Sequence, residues 1–326
     1  MYRGALSGPC QNRRTVELRP LGFGEIFDRA ITLYIRNFIP FAGIVSVLVV
    51  PLAVVQYFLD QNTLPQLAAA MEVLKHPSKT PPPPPNYFSS PLEGALLGLL
   101  VLTVWIAWPF AVNACAVGIA RLYRGRPVEF AACYRATLSR WLSVLGLLLI
   151  EAGIAIVWYV LSVMVFALAI VVTVLLARVA LPLAVIVGMM SALFLVANLL
   201  AIGPVFVAFT FAMNAVIIEE RPAFAATVLG FRRVFNRQEF WRALLFAIAA
   251  GAVMMGASTL IGVLSLLALF AHLIVLEVVL TSLFRAAIAP FSIVLLAVYY
   301  FDVRIRREGY EIEAGLDRLA NAERVA

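Results

Sequence analysis

An all-α integral membrane protein with six transmembrane helices is the fold this sequence predicts, and three observations predict it. Between Leu142 and Ile218 only Glu151 and Arg178 carry charge at neutral pH. That is far more apolar chain than one crossing of about 30 Å of hydrocarbon, or about 20 residues, requires. Of the 326 residues, 63% are hydrophobic and 13% charged, about half the charged share of an ordinary soluble domain, roughly 25%. Finally, Arg19-Pro20, Arg126-Pro127 and Arg221-Pro222 each open a segment that continues as an amphipathic, Arg-bearing helix and then an apolar hairpin. The spans therefore fall into three repeats of surface helix plus helical hairpin. In each the proline suits a first helical turn, where its missing N–H costs nothing.

A basic stretch, residues 1–20, precedes the membrane domain, 21–301. It has no apolar run of the kind a secretory signal carries, so the first apolar run is expected to act as the insertion signal. In the first repeat, about 21–123, Phe23, Ile26, Phe27, Ala30, Leu33 and Tyr34 share one face, opposite Glu25, Asp28, Arg29, Thr32 and Arg36. That pattern predicts a helix lying at the membrane surface. A span is expected over about 38–58. Residues 59–92 form a polar, outward loop whose five consecutive prolines, 81–85, favour a stiff polyproline II spacer. The second span is about 93–122.

The second repeat, about 126–220, places Phe130, Ala131, Tyr134, Leu138 and Trp141 on one face and Arg135 and Ser139 on the other. Arg178 and Pro182 mark the turn of its long hairpin, dividing it into helices of about 142–176 and 181–218. Each would be about 50 Å long at 1.5 Å per residue, so tilt, protrusion or a break at Gly203-Pro204 must absorb the excess. The third repeat, about 221–301, sets Phe224, Val228, Phe231, Val234 and Phe235 against Arg232, Arg233 and Arg237. Spans of about 242–269 and 274–301 follow, the latter carrying Pro290. Residues 302–326 form a charged tail with Asp302/Arg306 and Arg307/Glu311 at helical i,i+4 spacing.

All the Lys and Arg residues except Lys75, Lys79, Arg178 and Arg285 lie in the N-terminal segment, in the loops at 121–140 and 221–242, or in the tail. The positive-inside rule puts these segments, and both termini, in the cytoplasm. Trp141, Trp241, Tyr299 and Tyr300 fall where an inner aromatic belt belongs.

Three stretches carry a family resemblance. RPLGFGEIFDRAITLYIRNF at 19–38, GFRRVFNRQEFWRAL at 230–244 and, most specifically, YYFDVRIRREGYEIE at 299–313 resemble the bacterial proteins described as having a glycerophosphoryl diester phosphodiesterase membrane domain. The resemblance implies a six-helix bacterial inner-membrane protein. That family is named after a phosphodiesterase barrel attached in some relatives, and residues 19–313 here are taken up by the membrane region. The Pro-rich loop and the length of the 142–218 run depart from the usual pattern.

The sequence has no GxxxxGK[ST], no GxGxxG after a strand, no HExxH and no GxSxG. The two histidines, His76 and His272, are too few for a zinc site, which takes three or four ligands. Cys10, Cys115 and Cys133 form no CxxC pair and read as packing residues. No enzyme activity, cofactor or metal is expected. Nucleic acid is excluded as a partner because the basic residues are strung around membrane spans.

Glu151 and Arg285 are the ionisable residues placed deepest, about 13 Å and 22 Å from the inner interface at 1.5 Å per residue. They are a candidate intramembrane charged pair, with Glu277 as another neighbour for Arg285. Asn113, Asn198 and Asn214 are candidate cross-helix hydrogen-bonding residues, and Gly94/Gly98 and Ala252/Gly256 give small-xxx-small faces. Arg29, Arg36, Arg135, Arg140, Arg232, Arg233, Arg237, Arg304 and Arg306 are candidate contacts for anionic membrane lipids. Two functions fit these features. One is a non-catalytic membrane protein that organises lipids or an unidentified membrane-protein partner through its surface helices. The other is a transporter of small solutes or lipids, with Glu151 and Arg285 lining its path.

Overall fold

A chain this apolar satisfies its backbone in lipid by forming helices. The computed structural model describes residues 19–75, 91–270 and 273–309, and every regular element among them is helical. In order these are α1 (Phe23–Arg36), α2 (Phe38–Lys75), α3 (Pro91–Leu102), a π turn (Thr103–Ala107), α4 (Trp108–Tyr123), α5 (Phe130–Leu138), α6 (Trp141–Ala177), α7 (Leu181–Ile218), α8 (Ala223–Val234), α9 (Glu239–Phe270) and α10 (Ile274–Glu308). Six stretches are long and apolar enough to cross a membrane: Phe38–Leu59, Gly94–Tyr123, Trp141–Ala177, Leu181–Ile218, Glu239–Ala268 and Val275–Glu308. The chain is a multi-pass membrane protein. The five prolines, both histidines, Cys10 and Glu311 lie outside the described residues.

Several helix ends differ from expectation for identifiable reasons. Instead of stopping near Phe58, α2 runs on to Lys75, because the polar stretch after Leu59 is rich in Leu, Ala, Gln, Met and Glu, all good helix formers. The second span bulges into the π turn directly before Pro109. A proline ring collides with the carbonyl four residues back, here that of Trp105, and one wider turn relieves it. The tail does not begin a new element at 302. Helix α10 continues to Glu308 and stops at Gly309, whose φ of 63° is the left-handed conformation that glycine adopts at a helix C-terminus.

Helix α1 buries its predicted apolar face, but α5 and α8 do not: Phe130, Leu138, Phe224, Val228 and Phe235 stay 44–73% exposed, and Cys133, Thr137, Ala226, Thr227, Gly230 and Arg233 turn inward in their place. In α1, Ile26, Ala30, Leu33 and Tyr34 are buried. At its start Leu21 N–H donates to Asp302 on α10, and at its end the Tyr34 hydroxyl donates to the Ala287 carbonyl. Those anchors are roughly 22 Å apart along α10, so α1 runs beside α10 for its whole length. Helix α8 turns back along α7 in the same way. Its Gly230 faces Ala208 and Ala212, and a Cβ there would run into the Ala208 carbonyl and come within 2.9 Å of the Ala212 nitrogen. Helix α1 is tucked against a span by its apolar face, whereas α8 meets α7 through its small residues Ala226 and Gly230.

The packing is lopsided. The core gathers α1, α2, α4, α5, α7, α8 and α9 around the last turns of α10. At the opposite end the α6–α7 hairpin separates from the bundle. Helix α7 passes through Gly203-Pro204 unbroken. Gly203 instead allows close approach to α9, where a Cβ would come within 2.9 Å of the Ala247 Cβ. Beyond that level the two helices hold each other. Asn198 accepts from Trp158 Nε1 at 3.1 Å and donates to Ser162 Oγ at 2.7 Å, a cross-helix polar bridge of the kind expected. Asn113 and Asn214 make no such bridge: neither polar atom of Asn113, nor Asn214 Nδ2, has a partner. A Cβ on Gly98 or Gly256 would meet nothing within 4 Å, so these glycines mark no close helix contact.

Gly230→Ala should lower thermal stability in detergent by about 1–3 kcal/mol, the cost of overpacking a close contact. Gly24→Ala, where an added Cβ would meet nothing within 4 Å, should leave the melting temperature unchanged or raise it. Equal melting of the two variants would mean that α8 is not held this closely to α7.

Candidate functional site

The most enclosed part of the chain is the charged end of α10. From Tyr299 to Ile305 no residue is more than 7% exposed, although the sequence there alternates aromatics with Asp302 and Arg304. Rings build the lining. Tyr123 stacks on Phe301 with centroids 4.5 Å apart, Phe246 stacks on Tyr299 at 4.4 Å, and Phe211 meets both Tyr299 and Tyr300 at 5.3 Å. Tyr299 and Tyr300 are therefore core residues and not part of an aromatic belt. Trp141 and Trp241 are 49% and 65% exposed.

Asp302 is fully buried and saturated with donors. Leu21 N–H donates to Oδ1 at 2.6 Å, Arg242 Nη2 lies 2.7 Å from Oδ2, and Arg306 Nε donates to Oδ2 at 2.9 Å. Arg242 and Arg306 also donate to the Leu21 carbonyl. Both backbone groups of Leu21 are thus captured, which fixes where α1 starts. Glu25 then reaches back to accept from Gly22 N–H at 2.6 Å and pairs with Arg19 at 2.7 Å, covering N–H groups that a helix start leaves open.

A second cluster centres on Glu219, just past α7. Arg233 Nη1 lies 2.7 Å from Glu219 Oε1, Arg304 Nε lies 3.5 Å from it, and the Tyr300 hydroxyl donates to the same oxygen. Arg233 also holds Glu308 in a forked contact at 2.5 and 2.7 Å and lies over the Tyr300 ring, 5.3 Å from its centroid. Burial alone would push the Glu219 carboxyl up. The hydrogen bonds from Arg233 and Tyr300, with the charges of Arg233 and Arg304, outweigh it and hold the carboxyl below its ordinary range. A third carboxylate, Glu239 at the start of α9, faces Arg242 and Arg307, each at 3.7 Å.

The nine candidate lipid arginines therefore separate. Arg233 and Arg304 are 4% and 7% exposed and tie α7, α8 and α10 together; they do not face lipid. Arg306 is bound to Asp302 and Leu21, and Arg140 pairs with Glu220. Arg29 is half-buried and adds its charge to Glu25. Arg36, Arg135, Arg232 and Arg237 are exposed, and none of them makes an ion pair among the described residues. Arg36, Arg135 and Arg232 occupy the last turns of α1, α5 and α8, where a cation favours the helix dipole. Their equivalent places repeat the sequence pattern in three dimensions.

Glu151 and Arg285 are not brought together. Arg285 Nη1 donates to Gln56 Oε1 on α2 at 3.0 Å, while Glu151 Oε1 is buried without a hydrogen-bond partner. Glu277 accepts from Thr281 at 3.0 Å. Counting residues from one interface fixes depth but not direction around the bundle. Helix α6 packs on α7 and α8, whereas α10 packs on α1, α2, α4 and α9. Glu219, Glu239, Arg242 and Glu308 were not singled out by sequence; Asp302 was expected only as the i,i+4 partner of Arg306, a pair the structure shows. Their signal was the placing of carboxylates and arginines directly at the ends of apolar runs.

Glu219 titrates lower folded than unfolded, so its stabilising effect is complete above the ordinary carboxylate value, about pH 4.3, and is lost as pH falls through the folded value. Melting in detergent should hold near neutral pH and fall below about pH 4.3, and Glu219→Gln should flatten that part of the fall. Glu151→Gln and Arg285→Met should destabilise additively, within about 0.3–0.5 kcal/mol; a larger coupling energy would mean that the two side chains meet. Compared with known proteins, the chain matches no family model, no curated protein and no solved structure.

Proposed function

We propose that this chain is a non-catalytic protein of a bacterial inner membrane, with both termini and its arginine-rich end in the cytoplasm. Its short helices gather anionic lipid headgroups there and so organise lipids and partner proteins. The carrying observation is the sorting of the arginines. Buried or half-buried guanidiniums occupy Glu219, Asp302 and Glu308, while Arg36, Arg135, Arg232 and Arg237 are exposed and make no ion pair among the described residues. Each such charge is worth about 1 kcal/mol near an anionic surface. Membership of the phosphodiesterase membrane-domain family is part of this reading. Its support is that the three resembling stretches supply most of the residues of the ion-pair clusters, among them Arg19, Glu25, Arg233, Arg242, Asp302, Arg304, Arg306 and Glu308.

The alternative is transport of a small solute or lipid past Glu151. The unpartnered buried atoms of Glu151 and Asn113 favour it, since such atoms call for water or a passing ligand. Solute flux in proteoliposomes that Glu151→Gln abolishes would replace the first reading.

Replacing Arg36, Arg135, Arg232 and Arg237 together by Gln should remove the enrichment of phosphatidylglycerol over phosphatidylcholine in lipid extracted from the purified protein. Raised salt should weaken the same enrichment in the unaltered protein. Undiminished enrichment in the fourfold variant would defeat the proposal.

A further inference from the structure

Helices α2 and α10 pack side by side but leave a groove of about 460 Å³ between them near the start of α10. Its walls are two ridges at four-residue spacing, Val50, Val54 and Phe58 on α2 and Val275, Val279 and Leu283 on α10. These residues are 47–62% exposed. Beside the groove, one turn beyond Ser282, stands Arg285. Its side chain is exposed and spends one donor on Gln56. It makes no ion pair among the described residues, and four of the five guanidinium donors are left for another partner.

A guanidinium within a membrane span is costly and ordinarily finds an anion, a carbonyl or the interface. Here no carboxylate pairs with it among the described residues, and an open apolar channel lies next to it. On α2 that channel continues past Gln56 to Val50, roughly 9 Å. One molecule has both halves of this chemistry. We propose that the groove holds a single phospholipid, its phosphate on Arg285 with Gln56 alongside and an acyl chain lying between the α2 and α10 ridges. The planar guanidinium suits two phosphate oxygens at once. Arg285 lies roughly 28 Å along α10 from Arg304, so this site is separate from the headgroup contacts proposed for the arginine-rich end and does not rest on them.

Native mass spectrometry of the full chain, released from nanodiscs that contain phosphatidylglycerol and diacylglycerol with the same acyl chains, tests this. One retained phosphatidylglycerol and no retained diacylglycerol are expected. Arg285→Gln should lower the retained fraction about tenfold, the scale of a lost charge-assisted contact. Val279→Trp, which fills the groove, should lower it similarly. The variant with Gln at 36, 135, 232 and 237 should keep this one lipid, which separates the result from failure of the proposed function. Equal retention of diacylglycerol, or full retention by Arg285→Gln, overturns the proposal. So does a dimer that Val279→Trp dissociates, because a second copy would then fill the groove. If Arg285→Gln does not fold, Val279→Trp decides alone, and unchanged retention by that variant overturns the proposal.

Discussion

Asp302 is a carboxylate with no exposed surface, and the rest of the arginine-rich end is arranged so that it can be there. An ionised side chain taken out of water loses several kcal/mol of solvation, which only close partners offset. Those partners come from three places: Arg306 one turn along the same helix, Arg242 at the start of α9, and the backbone N–H of Leu21, 281 residues away in sequence. Satisfying one carboxylate therefore fixes where α1 begins and where α9 meets α10. Glu219 does the same for α7, α8 and α10. Buried ion pairs of this kind add little net stability over apolar residues of the same shape, but they are costly to break. Their effect here is to reject other registers of the helix ends.

That role was only half legible in the sequence. The spans were readable because hydrocarbon imposes a length and an apolarity that little else produces, and α6 and α7 end within a residue or so of expectation. The face of α1 was readable from its period, since Ile26, Ala30, Leu33 and Tyr34 are buried together, but α5 and α8 bury small and polar residues where their period put aromatics. What a period cannot give is the partner that covers a face. It leaves open whether α1 lies on lipid or along α10, and it gives Arg233 the same weight as its neighbour Arg232. One of these points into the helix junction and the other away from it. Glu151 and Arg285 failed as a pair for the same reason, since depth is one coordinate and contact needs three.

The two ends of the bundle follow different rules. At the arginine-rich end, charges must be matched, so seven helices converge and the rings of Tyr123, Phe211 and Phe246 seal the junction. At the other end nothing demands convergence. Lipid is as good a solvent for Leu as another helix is, so apolar side chains alone do not pull spans together in a membrane. The α6–α7 hairpin is free to stand apart, joined through Asn198, Trp158 and Ser162. Polar groups decide the architecture at both ends, by their abundance at one and their scarcity at the other.

The chain's net charge of +7 takes on meaning in that setting. An excess of arginine spread evenly would describe solubility. Here each guanidinium has a position that determines its use. Those at helix junctions are enclosed with carboxylates, and Arg36, Arg135 and Arg232, in the last turns of α1, α5 and α8, are left outward. One, Arg285, stands beside an open apolar groove. The enclosed group takes up Glu219, Glu239, Asp302 and Glu308, and the outward group makes no ion pair among the described residues. Folding of the arginine-rich end thus separates the arginines that hold the helices together from those left on the surface proposed to meet the membrane.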